Sequence, residues 1–153
     1  MNALTGADAK VGSYAFTTLD PNLGALYGYV LADIPGLIEG ASLGKGLGFK
    51  FLRHIARTKL LVHCVSLELG EEQDDIPWQR YEKVRAELDK FEGGVLSRKQ
   101  EIVVLTKSDT RDTQEIKDIV DMFAQKGKKV ALVSILDEAS LKALGDTIIA
   151  AVR

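Results

Sequence analysis

Thr106-Lys107-Ser108-Asp109 closes the apolar run from Glu101 to Leu105, and Asp33-Ile34-Pro35-Gly36 closes an earlier one, Tyr29-Val30-Leu31-Ala32. In the Asn/Thr-Lys-x-Asp pattern the last carboxylate accepts hydrogen bonds from the N1–H and the exocyclic amine of guanine, a pair that adenine cannot supply. Charge-assisted bonds of this kind contribute ~1.5–3 kcal/mol each, enough for Asp109 to decide between the two purines. Lys107 would lay its aliphatic stem along the base, and the Thr106 hydroxyl replaces the commoner amide with fewer contacts. Taken alone, the four residues also read as a strand-to-turn exit with solvated charges. Ligands bind at the carboxyl ends of strands in a parallel sheet, so two polar motifs at two such ends converge. Together they imply a guanine nucleotide site.

Asp33 and Gly36 suit the phosphate side of such a site. Asp33 would hold a water on Mg²⁺, and Gly36, lacking a side chain, would let its backbone N–H approach a γ-phosphate. By itself this spacing is also an ordinary turn. The stretch Phe16-Thr17-Thr18-Leu19-Asp20 offers hydroxyls that could complete the Mg²⁺ shell, although alone it is a turn. Ser134-Ile135-Leu136 ends the last apolar run and could offer backbone N–H groups to the guanine carbonyl, as any strand end could.

No Gly-x-x-x-x-Gly-Lys-Ser/Thr occurs among the 153 residues, so the usual phosphate cradle is not present in them. Gly40-Ala41-Ser42-Leu43-Gly44-Lys45-Gly46 resembles one but has three intervening residues and a glycine where a metal-binding hydroxyl belongs. It reads as a mobile loop. Gly44-x-Gly46-x-Gly48 is likewise no dinucleotide fingerprint, because no strand leads directly into it. His54 and His63 have no partners at metal-ligand spacing and read as structural. Arg53 and Arg57 read as solvated charges on one helical face.

The elements that must position these residues follow from hydrophobic periodicity. Four short runs without polar alternation predict buried parallel strands, at Tyr29–Ala32, Lys59–Ser66, Glu101–Thr106 and Lys129–Ser134. Between them Trp78, Tyr81, Val84, Leu88 and Phe91 recur at helical spacing before Gly93-Gly94. Ile116, Ile119, Val120 and Phe123 do so before Gly127, and Leu141, Leu144, Ile148 and Val152 near the C-terminus. Met1–Thr5 reads as the tail of a helix, Gly6–Gly24 as an ordered or switching loop, and Gly36–Gly48 as a second irregular stretch. A helix carrying Phe49, Leu52, Ile55 and Ala56 follows.

The chain length fits one domain with a substantial core. A net charge of −2, with 27% charged residues, provides no basic field for holding nucleic acid. No apolar stretch approaches the ~18 residues of a membrane span, which predicts a soluble, cytoplasmic protein. The single cysteine, Cys64, lies in an apolar run and reads as a small buried hydrophobe.

The segments Tyr14–Gly24, Leu31–Ala41 and Gly44–Ile55 together closely resemble the Obg family of bacterial GTPases, and the resemblance extends to the C-terminus. It implies an α/β fold of the P-loop NTPase type, a three-layer, mostly parallel G domain over residues 1–153. Residues 1–24 would hold the end of the first helix and the first switch, 33–48 the second switch, and 106–109 the guanine-specificity motif. Thr18 would be a direct Mg²⁺ ligand and Asp33 one through water. Phe16, Thr17, Leu19, Asp20, Ile34, Pro35 and Gly36 would surround the phosphates, and Thr106–Asp109 with Ser134–Leu136 would hold the base. The implied function is a GTP/GDP switch acting in assembly of the large ribosomal subunit.

Several departures accompany the resemblance. It places the first, central strand and the phosphate loop upstream of Met1, and the family's glycine-rich N-terminal domain has no counterpart. The missing strand would lie between those ending in Asp33 and near Ser66, which would leave two edges for a partner chain to complete. Only eight residues separate Gly24 from Asp33, so the hairpin of the second and third strands looks cut short. Leu37 follows Gly36 where Ras-like proteins carry a catalytic glutamine, and no general base is assigned. Ile135 replaces a small residue, and Ser66 and Leu67 stand where an aspartate is common. The isolated chain is expected to hydrolyse GTP little or not at all. Two other readings remain: a nucleotide-independent interaction module, and a truncated product without its own function.

Overall fold

The computed structural model describes residues 2–5, 10–11, 22–33, 56, 58–69, 76–90 and 94–153. They form α1 (Asn2–Thr5), β1 (Lys10–Val11), β2 (Asn22–Leu26), β3 (Tyr29–Asp33), β4 (Leu61–Ser66) and α2 (Pro77–Lys90). β5 (Glu101–Thr106), a 3-10 turn at Ser108–Thr110, α3 (Thr113–Gln125), β6 (Val130–Val133) and α4 (Glu138–Val152) follow. The chain divides into two compact units, one of residues 1–58 and 84–98, the other of 59–83 and 99–153.

In the first unit β1, β2 and β3 make an antiparallel sheet in that order, with Leu26 facing Tyr29 across the turn. Tyr27 and Gly28 both have positive φ, 47° and 87°, the backbone of the tight hairpin turn whose twist matches its strands. Two expectations change here. The hairpin has five-residue strands and a tight turn, and β1 and the start of β2 fall within the stretch read as a loop. Tyr29–Ala32 is an antiparallel arm and not a buried parallel strand, since Val30 is 71% exposed. A short apolar run looks alike in both settings, and only its partners distinguish them. The predicted helix tail is present as α1. It packs on β2 so closely that a Cβ at Gly24 would collide with the Thr5 side chain.

In the second unit β4, β5 and β6 are parallel, with β5 central. On one face Val65, Leu67, Val103 and Leu105 pack with Tyr81 of α2 and with Ile119 and Phe123 of α3. Trp78, Tyr81 and Phe123 meet at ring-centroid distances of 5.0–5.7 Å, two of the three contacts edge-on. Each buried side chain of this cluster contributes ~1.5–3 kcal/mol through loss of water contact, and Trp78, partly buried, packs against it. The register puts Val104 and Val133 on the other face, and α4, which buries Leu144, Ile148 and Ile149, packs beside β6. The α/β architecture and the three helices predicted from spacing are therefore present.

The helix ends follow local chemistry. Asp112 caps α3 by accepting from the Glu115 N–H at 2.9 Å, while Glu115 reaches back to the Asp112 N–H at 3.1 Å. The same helix stops at Gly127, φ 74°, where the amides of Gly127 and Lys128 return to the carbonyls of Ala124 and Phe123. Cys64 corrects an expectation, because it is exposed. It alternates with the buried Val65 on a strand that pairs on one side among the described residues, whereas its neighbour Val104 lies on the central strand and is fully buried. Among the described residues β3 pairs only with β2 and β4 only with β5, so the strands ending in Asp33 and Ser66 stand in separate sheets.

Candidate functional site

Asp109 and Ser134 are 25 residues apart, and parallel pairing of β5 with β6 brings the two strand ends together. The Ser134 hydroxyl donates to Asp109 Oδ1 at 2.5 Å, although the serine is only 4% exposed and the carboxylate stands at the surface. Asp109 lies in the 3-10 turn, entered through Lys107 in a left-handed conformation, φ 58° and ψ 42°. That sharp change of direction holds the carboxylate at the sheet's carboxyl end. Asp109 Oδ2 accepts no hydrogen bond among the described residues, leaving capacity for a further donor.

The 134–136 turn is nearly saturated by its own bonds. Ser134 N–H donates to Ser140 Oγ at 3.2 Å, and Leu136 N–H donates to Ser134 Oγ at 3.1 Å. Ser140 in turn donates to the carbonyls of Ser134 and Asp137, fixing the turn to the start of α4. The Ile135 N–H has no partner among the described residues, so it alone of the three amides is left for a ligand carbonyl. Its side chain and that of Leu136 are highly exposed, two apolar groups flanking that amide.

Thr106, the first residue of the motif, donates through Oγ1 to the Val65 carbonyl at 3.4 Å, so its hydroxyl ties β5 to β4. Lys107 Nζ pairs with the Glu68 carboxylate. Glu68 belongs to a segment whose carbonyls are gripped by guanidinium groups. Arg80 donates to the carbonyls of Ser66 at 2.8 Å and Glu68 at 2.9 Å, and Arg111 Nε donates to that of Leu67 at 2.7 Å. Sequence reading missed Glu68, Arg80 and Arg111. The contacts that matter here are to backbone carbonyls and one distant lysine, which leave no local pattern, although Arg111 also pairs with Glu115 four residues on.

Of the other predicted site residues, Asp33 is exposed at the end of β3, in the first unit, and Asp109 lies in the second. Phe16, Thr17, Thr18, Leu19, Asp20, Ile34, Pro35 and Gly36 lie outside the described residues, as do Gly40–Gly48. The helix predicted over Phe49–Ala56 is described only at Ala56. A threonine hydroxyl and a carboxylate are oxygen donors, the set a hard Mg²⁺ takes when phosphates and water complete its shell. Among the described residues no three His, Cys, Asp or Glu side chains cluster to hold a metal unaided. No described helix is long and apolar enough to cross a membrane.

His63 has the structural place expected of it. Its Nδ1 lies 3.0 Å from Glu101 Oε1, its ring stacks on Tyr81 at 4.9 Å, and the two ionisable side chains are 8% and 6% exposed. Tyr81 donates to Glu101 Oε2 at 3.0 Å, and Lys128 lies 3.5 Å from the same oxygen. Burial pushes the Tyr81 phenol above its ordinary value, opposed in part by Lys128. This cluster sits at the amino end of the strands, away from Asp109.

The family described as "50S ribosome-binding GTPase" matches residues 1–107. The GTPase Obg of Mycoplasmopsis synoviae is 43% identical over 139 residues, covering 88% of this chain and 31% of that protein. That of Leuconostoc mesenteroides is 46% identical over 120 residues, 75% of this chain and 27% of the relative. That of Nitratidesulfovibrio vulgaris strain DP4 is 35% identical over 153 residues, 95% and 41%. The chain thus spans between about a quarter and two fifths of the length of these relatives. With an α/β fold, a parallel sheet and a strand-end aspartate held beside a serine turn, it belongs to this GTPase family, on the Obg branch.

Proposed function

We propose that the chain carries the base-reading part of an Obg-type GTP-binding switch. The carrying observation is the Ser134–Asp109 hydrogen bond, which joins two strand-end motifs and leaves one carboxylate oxygen and the Ile135 N–H for a ligand. Guanine offers the complement: one donor for the open Asp109 Oδ2, a second that shares Oδ1 with Ser134, and one carbonyl for Ile135. Lys107 flanks the base, and Thr106 and Ser108 hold the loop. Asp33 would act on Mg²⁺ through water and Thr18 directly. Phe16, Thr17, Leu19, Asp20, Ile34, Pro35 and Gly36 would lie along the phosphates.

The residues of this chain supply orientation more than phosphate affinity. A phosphate loop contributes several charge-assisted bonds at ~1.5–3 kcal/mol each, so base contacts without it bind weakly. We therefore assign GTP hydrolysis to an assembly in which a segment outside these 153 residues brings the phosphate loop. That segment, or a partner chain, would add a strand beside β4. A role in large-subunit ribosome assembly is the corresponding cellular reading, supported by the family resemblance.

Titrating GDP into the chain to millimolar concentration, followed by the amide shifts of Ile135 and Leu136, tests this reading. Saturable binding that Asp109→Ala removes supports it. Equal binding of ADP and GDP would refute guanine recognition. Tight capture of a protein partner, unaffected by GDP or GTP, would favour an interaction module instead.

A further inference from the structure

The segment after β4 is held more firmly than an exposed loop requires. Leu67 N–H continues the β4–β5 pairing by donating to the Thr106 carbonyl at 2.9 Å, and its side chain is fully buried. The next constraint comes from guanidinium groups on both sides. Arg80 of α2 holds the carbonyls of Ser66 and Glu68, and Arg111, at the entry to α3, holds that of Leu67. Glu68 N–H adds a bond to Ser66 Oγ at 3.2 Å. Arg111 is itself anchored, since its other arm donates to Glu115 of the α3 capping box at 3.2 Å. Three consecutive carbonyls are thus fixed from two helices, and the Glu68 carboxylate that they present meets the Lys107 ammonium.

Lys107 is one of two described non-glycine residues with positive φ; the other, Tyr27, belongs to a hairpin turn. Side chains rarely take this backbone region, and such strain gathers where a chain must hold a functional geometry. An exposed lysine would otherwise sample many rotamers and lose that freedom when it lies against a base.

We infer that Glu68 is a positioning residue for nucleotide binding: it holds Lys107 in one orientation beside Asp109 before the purine arrives. The inference rests on the base-site reading above. Arg80 and Arg111 serve it indirectly, by fixing the backbone from which Glu68 reaches. Both members of the pair are about half exposed, 51% for Lys107 and 58% for Glu68, so the effect is modest and screened by salt.

The test is a GDP titration of the full chain and of Glu68→Gln, Lys107→Gln and the double variant, with Asp109→Ala as reference. Glu68→Gln should weaken GDP binding about two- to five-fold at low salt. The same change should have no effect once Lys107 is Gln, and Glu68→Asp should recover part of the loss. The ratio of wild type to Glu68→Gln should approach one at about 1 M salt, where the screening length falls to about 3 Å. Equal loss in the Lys107→Gln background would overturn the inference in favour of a purely structural role for Glu68. Unchanged affinity in Glu68→Gln, with binding still lost in Asp109→Ala, would overturn it while leaving the guanine site standing. Binding indifferent to Asp109→Ala, or no saturation at all, would overturn both readings.

Discussion

At the amino end of the β4–β5–β6 sheet Glu101 is sealed among His63, Tyr81 and Lys128, whereas at the carboxyl end Asp109 and Ile135 keep hydrogen-bonding groups unspent among the described residues. Both ends carry a carboxylate on the same strand or just beyond it. The closed end surrounds its acid with donors and aromatic rings, which makes it a stability element. The open end supplies one donor to Asp109 and stops. A buried carboxylate must be satisfied from within, because an unpaired one costs several kcal/mol; an exposed one can wait for a ligand. Chemistry alone does not separate the two acids, but position along the strand does.

The sharpest way to break this contrast is to remove each acid in turn. Asp109→Ala should lower GDP affinity about 100-fold or more, from the loss of two charge-assisted bonds, with a smaller cost in stability, about 1 kcal/mol, from the one Ser134 hydroxyl left without its acceptor. Glu101→Ala should do the reverse. It leaves the buried groups of His63 and Tyr81 without this acceptor and should cost about 2–4 kcal/mol in denaturant unfolding, with GDP affinity retained. If Glu101→Ala abolished binding in still-folded protein, the two ends would not be independent.

A pH scan sharpens the contrast further. The Tyr81 phenol is raised above its unfolded value near 10, chiefly by burial, so the neutral ring favours the folded state. That contribution is complete below about pH 10 and is lost as pH rises through the higher folded-state value. Stability should therefore fall steeply above pH 10, and Tyr81→Phe should flatten that part of the curve. The smallest effect concerns Asp112, whose side chain caps α3. Asp112→Ala should cost about 1 kcal/mol, read by thermal unfolding. An accompanying loss of GDP affinity would show that the Arg111–Glu115 link carries strain from the helix start to the base-reading loop.

Spacing alone located α2, α3 and α4, because a buried helical stripe repeats every three or four residues and Gly127 ends one of them with the required positive φ. The same kind of reading placed Asp109 and Ser134 at strand ends. It failed at Tyr29–Ala32 and Cys64 for a shared reason: an apolar run shows that residues prefer burial, while the neighbours of the strand decide which faces are covered. β3 lies against an antiparallel hairpin arm, and β4 is an edge strand among the described residues.

Residue types and their order determined that this chain alternates strands with helices and that a carboxylate, Asp109, follows β5. They also determined that the phosphate-loop pattern is not among its 153 residues. Tertiary structure decided which groups remain available. Ser134 takes one oxygen of Asp109, Ser140 and Leu136 use up the turn around Ile135, and Glu68 claims Lys107. Those contacts join residues 25 to 39 positions apart or turn on local backbone direction. Hydrogen bonds saturate only between groups that folding brings within reach, and no linear pattern records that distance.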